Sequence, residues 1–108
     1  MPQFIYRITP TRPGMLADGP TERESEIVGR HFEYLMRLTE AGQVHLAGRT
    51  LTTDERSFGI VVFSAASESL AQQLVAGDPA VQEGVMRAEL LPFRVALWSD
   101  SGPRRESD

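Results

Sequence analysis

The sequence predicts an α+β fold of the ferredoxin-like kind, a βαββαβ sandwich in which two helices lie on a four-stranded antiparallel sheet. Three observations carry this expectation. Four segments have strand length with alternating or continuous apolar character, two segments repeat apolar residues at helical spacing, and their order along the chain is strand, helix, strand, strand, helix, strand.

The first strand is "QFIYRIT" (3–9), where Phe4, Tyr6 and Ile8 alternate with Gln3, Ile5 and Arg7. "PTRPGMLADGP" (10–20) carries three prolines and two glycines, which predicts a loop, long for so small a domain and of the kind that serves as a lid. Thr21, with Glu24 three residues on, has capping-box spacing and starts a helix that runs to Ala41 and stops at Gly42. "QVHLAGRT" (43–50) reads as the second strand, "TTDERS" as a turn and "FGIVVFS" (58–64) as the third strand. Ser67 caps the second helix, "ESLAQQLVA", which ends at Gly77. Asp78 before Pro79 then predicts one extra helical turn. "VMRAELLPFRVALW" (85–98) reads as a long last strand, so residues 1–98 form a single domain and 99–108 a polar, disordered tail.

Composition sets the outer bounds. The chain has 108 residues, 41% of them hydrophobic and 24% charged, enough for one domain with a core of its own. Net charge is -4 and the basic residues are scattered, which argues against nucleic acid and against an anionic membrane surface. There is no cysteine, so thiol chemistry, disulfides and thiolate metal sites are excluded. No apolar run reaches 18 residues and "MPQFIYRITP" lacks the pattern of a signal peptide; the expected location is cytoplasmic.

Both faces of the predicted sheet are apolar. In the third strand Phe58, Ile60 and Val62 oppose Val61 and Phe63; in the last, Leu91, Phe93, Val95 and Leu97 oppose Met86, Ala88, Leu90, Ala96 and Trp98. Two helices cover one face only, and a sheet with one wet face alternates apolar and polar residues. The expectation is a homodimer packed through the open sheet face as a dimeric α+β barrel; the alternative is that the 10–20 loop folds beneath the sheet.

The candidate chemistry starts from "EIVGRHFEYLMRL" (26–38), where His31 shares a helical stripe with Ile27, Tyr34, Leu35 and Leu38. It is either a buried histidine bonded to backbone or water, or a general acid/base, a role that its unperturbed pKa of about 6.5 suits. Asp78 is a helix cap by position, and the same carboxylate can orient an imidazole. Arg49 and Arg7 are candidate anion clamps, because guanidinium forks match carboxylates, and Tyr34 is a candidate phenolic donor to a substrate. Strand alternation turns Val44 and Leu46 toward the helices and His45, Ala47 and Arg49 away from them. His31, His45 and a carboxylate lack diagnostic ligand spacing, so no metal is expected.

Together, "RHFEYLMRLTEAGQVHLAG", "SFGIVVFSAASESLAQQLVAGDPAVQEGV" and "AELLPFRV" resemble the YciI-like (YCII-related) domain family, over residues 3 to 98. The pieces are a helix with His and "YL", then "G…AG", a "DP" after the second helix with a downstream Gly, and a strand ending near "PF". The resemblance implies a dimeric α+β barrel and a His–Asp pair as the catalytic group, here His31 and Asp78. It also implies lyase, dehalogenase or isomerase-like chemistry on small organic acids or ring compounds. Two positions depart from the family pattern: Ala80, where an aromatic residue is common, and Arg49, where proline is frequent.

The expected function is cofactor-free acid/base catalysis on a small molecule. The competing expectations are a non-catalytic metabolite-binding module that uses the same pocket, and a barrel monooxygenase, against which the family motifs argue.

Overall fold

The computed structural model describes residues 1–103. Eight elements follow one another: β1 (Gln3–Pro10), α1 (Gly14–Ala17), α2 (Glu22–Glu40), β2 (Val44–Arg49), β3 (Gly59–Ser64), α3 (Glu68–Ala76), α4 (Pro79–Gln82) and β4 (Met86–Phe93). The strands form one sheet in the order β2-β3-β1-β4, every neighbouring pair antiparallel. The α+β class and the four-stranded antiparallel sheet are those expected from the element order.

Local chemistry explains the helix ends. Thr21 accepts from the Glu24 N–H at 3.1 Å and Glu24 accepts from the Thr21 N–H at 2.8 Å, closing a capping box at the start of α2. Gly42, just past its C-terminus, sits at φ 81°, a left-handed conformation that favours glycine. Ser67 caps α3 and Asp78 caps α4, with Pro79 at its first position.

One face of the sheet carries the core. Phe4, Tyr6 and Ile8 from β1, with Val61 and Phe63 from β3 and Val44 from β2, pack beneath Leu35 of α2 and Ala71, Leu74 and Val75 of α3. Phe63 stacks on Phe4 with centroids 5.8 Å apart and meets Tyr6 edge-on at 5.9 Å, arrangements that aromatic quadrupoles favour. A second cluster of Met15, Ile27, Ala80 and Val85 joins α1, α2 and the α4–β4 junction.

Three expectations need correction. The 10–20 segment contains the helical turn α1, and it does not fold beneath the sheet: Met15 is buried on the helix side. Met15 and Leu16 supply the apolar anchor that the proline and glycine content concealed. The last strand ends at Phe93 rather than Trp98, because Phe93 pairs with Gln3, the first residue of β1, and beyond it no partner strand remains. The chain instead turns across the sheet end, where the Val95 N–H donates to Gln3 Oε1 at 3.1 Å and Trp98 meets the His45 ring edge-on. Of the predicted tail, residues 104–108 lie outside the described residues.

The third correction concerns β2. Val44 pairs with Phe63 and Leu46 with Val62, so His45 is the extra residue of a β-bulge. The bulge reverses the alternation beyond it. Leu46 joins the open face, while Ala47 and Arg49, opposite Val61 and Gly59, turn to the helix side. The open face also carries Leu91 and Phe93, which with Leu46 are each more than two-fifths exposed.

The segment before α2 is latched by Arg12, whose guanidinium donates to both Glu24 oxygens at 2.7 and 2.8 Å and to the Gly19 carbonyl at 3.0 Å. The Arg12 hydrogen bonds, assisted by Thr21, hold the Glu24 carboxyl at about 2, down from 4.5. A depressed carboxyl stabilises the fold fully above its unfolded pKa, and that stability is lost as pH falls through the folded value. Acid unfolding of the wild type is therefore expected to steepen between pH 4.5 and 2. In Glu24→Gln the same denaturant midpoints should be lower at pH 7 and flatter across this window; identical acid profiles would refute the latch.

Candidate active site

Asp78 is fully buried at the junction of α3 and α4 and accepts from three directions. The Ala80 N–H reaches Oδ1 at 2.9 Å, the Tyr6 hydroxyl donates to Oδ2 at 2.8 Å, and His31 Nδ1 lies 2.7 Å from Oδ1 and 2.8 Å from Oδ2. Three elements converge here because each has a local reason to. The Asp-Pro cap points its carboxylate back at the start of α4, the apolar stripe of α2 turns His31 inward beside Ile27 and Leu35, and strand alternation sends Tyr6 up from β1 into the core. An ionised carboxylate is acceptor-only. With Tyr6 and Ala80 donating to it, the complementary form of His31 carries its proton on Nδ1 and leaves Nε2 as the free nitrogen.

Nε2 makes no hydrogen bond within the described residues, yet no buried polar side-chain atom there lacks a partner, so this nitrogen is open to the space beside it. Beside α2 lies a cavity of about 530 Å³ to whose wall His31 contributes. Apolar side chains dominate the rest: Met15 and Leu16 of α1, Val28, Phe32, Leu35 and Met36 of α2, Ile8 of β1 and Met86 of β4. The polar residues of the lining are Thr39 and Glu40 of α2 and Arg49, Thr50 and Ser57 around the β2–β3 turn. A greasy concavity with a few polar groups is the ordinary form of a small-molecule site.

The other sequence candidates fall in different places. Arg49 lines the cavity, brought there by the bulge at His45, and its only side-chain hydrogen bond among the described residues is a 3.4 Å contact to the Thr50 carbonyl. Tyr34 does not line this cavity. Its hydroxyl donates to the Leu74 carbonyl at 2.6 Å, tying α2 to α3, and burial with the nearby Asp78 charge raises its pKa. Arg7 stands on the open face with its guanidinium 4.7 Å from the centre of the Phe58 ring. His45 Nε2 lies 2.6 Å from Ser64 Oγ, also away from His31. No cluster of three or more His, Cys, Asp or Glu residues among the described ones is placed to hold a metal.

Tyr6 was missed. Its place between Phe4 and Ile8 marks it as core, but a buried tyrosine hydroxyl needs a partner, and an apolar strand whose central ring is Tyr rather than Phe is the signal that was available. Burial first, and then the Asp78 charge, push its pKa far above 10.

The comparisons with known proteins agree with this architecture. Residues 4–94 match the YCII-related domain, and the chain belongs to that family. Its fold is shared with 5-chloro-2-hydroxyhydroquinone dehydrochlorinase from Burkholderia phenoliruptrix, seen in complex with 2,5-dihydroxybenzoquinone, at a TM-score of 0.62 and 23% identity over 87% of this chain and 94% of that one. It is also shared with an uncharacterized protein from Thermotoga maritima, at a TM-score of 0.52 and 13% identity over 85% and 95% of the two chains. No protein of curated function matches the sequence. No helix among the described residues is long and apolar enough to cross a membrane.

The carboxylate is also structural. Asp78→Ala removes the α4 cap and strands the Tyr6 hydroxyl and the His31 Nδ1–H in the interior. Unsatisfied buried donors cost about 1–3 kcal/mol each, so urea unfolding should show a loss of about 3–5 kcal/mol; a loss below about 1 kcal/mol would show that these groups find water instead.

Proposed function

We propose that this protein is a cofactor-free acid/base enzyme acting on a small ring-shaped phenolic or anionic substrate, with His31 as the proton-transferring group. The observation that carries the reading is the pairing of His31 Nδ1 with the buried Asp78 at 2.7 Å while the rest of the ring borders a largely apolar cavity. Asp78 orients the imidazole and balances the positive charge that appears when Nε2 takes a proton. Nε2 then accepts a proton from an acidic C–H or O–H of the bound molecule. In an elimination, the electron pair of that bond becomes a new double bond and a leaving group such as chloride departs with its own pair. In an isomerisation, the imidazolium returns the proton at another atom. The dehydrochlorinase with the same fold supports the first form, since its name describes loss of hydrogen chloride from a chlorinated hydroxyhydroquinone. Arg49, in the cavity lining, offers an anion contact.

A positioned acid/base contributes roughly 10²–10⁴-fold in rate. Screening hydroxylated and chlorinated aromatic compounds by thermal shift, followed by product detection, identifies a substrate. His31→Asn and Asp78→Asn are then each expected to lower kcat by about 10²-fold or more. Arg49→Ala should raise KM with a smaller change in kcat. Unchanged turnover in a folded His31→Asn variant would overturn the assignment, and binding without product from any compound would mark a metabolite-binding module instead.

The same reading includes a homodimer through the open sheet face, supported by Leu46, Leu91 and Phe93 standing exposed on one surface. Exposed apolar side chains gathered on one sheet face are the kind of surface that a second copy of the chain would cover. Sedimentation at micromolar concentration should give twice the chain mass, and Leu91→Lys should shift it toward the monomer. A wild type that sediments only as monomer contradicts the dimer.

A further inference from the structure

We infer that Tyr6 is a positioning residue that sets the proton affinity of His31 through Asp78, holding the imidazole neutral and therefore basic at Nε2. The inference rests on the acid/base reading of His31 and adds a residue to it. Tyr6 has no exposed surface and lies between Phe4 and Ile8 on the helix-facing side of β1, its ring held edge-on by Phe63 at 5.9 Å. A phenylalanine would fill that space without requiring any partner. What the hydroxyl adds is one bond, 2.8 Å to Asp78 Oδ2.

The effect of that bond follows from charge. A buried carboxylate beside an imidazole favours the imidazolium. The imidazolium is the form that cannot accept a proton. The carboxylate is the stronger acceptor while His31 is neutral, because its charge is then uncompensated; once the imidazolium forms, that charge is shared with the ring. A donor on the carboxylate therefore stabilises the neutral-imidazole state more than the protonated one and draws the His31 titration downward. Tyr6 is such a donor, and it remains protonated because burial and the neighbouring carboxylate oppose phenolate formation. The backbone N–H of Ala80 donates as well, but no side-chain substitution removes it.

The charged and titratable groups around the ring are few. Asp78 comes from the α3–α4 junction and Tyr6 from β1; Tyr34, on α2 itself, is turned to the Leu74 carbonyl; Glu40 and Arg49 border the cavity. Of these side chains only Asp78 bonds the imidazole, and only Tyr6 and His31 bond Asp78.

The test needs no substrate. The full chain is labelled with ¹⁵N-histidine and its two imidazoles are followed by long-range ¹H–¹⁵N NMR from pH 4 to 9, with His45→Gln assigning His31. The wild type should show neutral His31 with its proton on Nδ1. In Tyr6→Phe the same tautomer should persist while the titration midpoint rises by roughly half a unit to one unit. The opposite arm uses 3-fluorotyrosine in a Tyr34→Phe background, which confines the label to Tyr6. The more acidic phenol donates more strongly and should move the midpoint down. Opposite shifts in the two arms support the inference; no shift, or shifts of the same sign, overturn it. Should Tyr6→Phe fail to fold by circular dichroism, the fluorotyrosine arm decides alone. Asp78→Asn separates the two levels: a His31 titration and tautomer unchanged by it would remove the acid/base reading itself, whereas a response to Asp78→Asn with none to the tyrosine variants removes only the role of Tyr6.

Discussion

The buried carboxylate of Asp78 is the constraint on which the rest of the structure depends. A charge without exposed surface is tolerated only when its hydrogen-bonding capacity is met, and three parts of the chain meet it: a strand through Tyr6, a helix through His31, and the turn that Asp78 itself caps. These contacts join residues 47 and 72 positions apart in sequence. The same bonds that allow the charge to be interior also fix the orientation of the imidazole. In the proposed reading, stability and chemistry are carried by one set of atoms.

Around that centre the fold supplies enclosure. The sheet gives an apolar floor and α2 a wall, while α1, a single turn between β1 and α2, adds Met15 and Leu16. The turn is anchored by the Arg12–Glu24 pair to the capping box of α2. The helix that carries His31 and the segment that adds Met15 and Leu16 to the same cavity are thus tied at one end.

Much of this was legible in the sequence, and the parts that were share a property. Capping at Thr21, Ser67 and Asp78 and the glycine after α2 follow from interactions within a few residues, and the four strands show in the local apolar pattern. The placement of His31 beside Asp78 came from the family resemblance rather than from spacing. What could not be read depends on distant partners. The partner of the Tyr6 hydroxyl lies 72 residues away. The end of β4 is set by where β1 begins, and α1 is stabilised by a cluster drawn from α2 and from Ala80 and Val85. Alternation predicted the faces of β1, β3 and β4 but not of β2, because nothing local to "QVHLAG" announces an extra residue in one strand of a ladder.

That extra residue has a wider consequence. Because a strand alternates with period two, one inserted position acts on everything downstream as a frameshift does on codons: the letters stay and their meaning flips. Restoring regular pairing at His45 would swing Leu46 into the interior and carry Arg49 to the outside without altering either residue. The faces that Leu46 and Arg49 occupy are thus decided by whether the ladder absorbs His45 as an unpaired residue, not by the identity of either side chain.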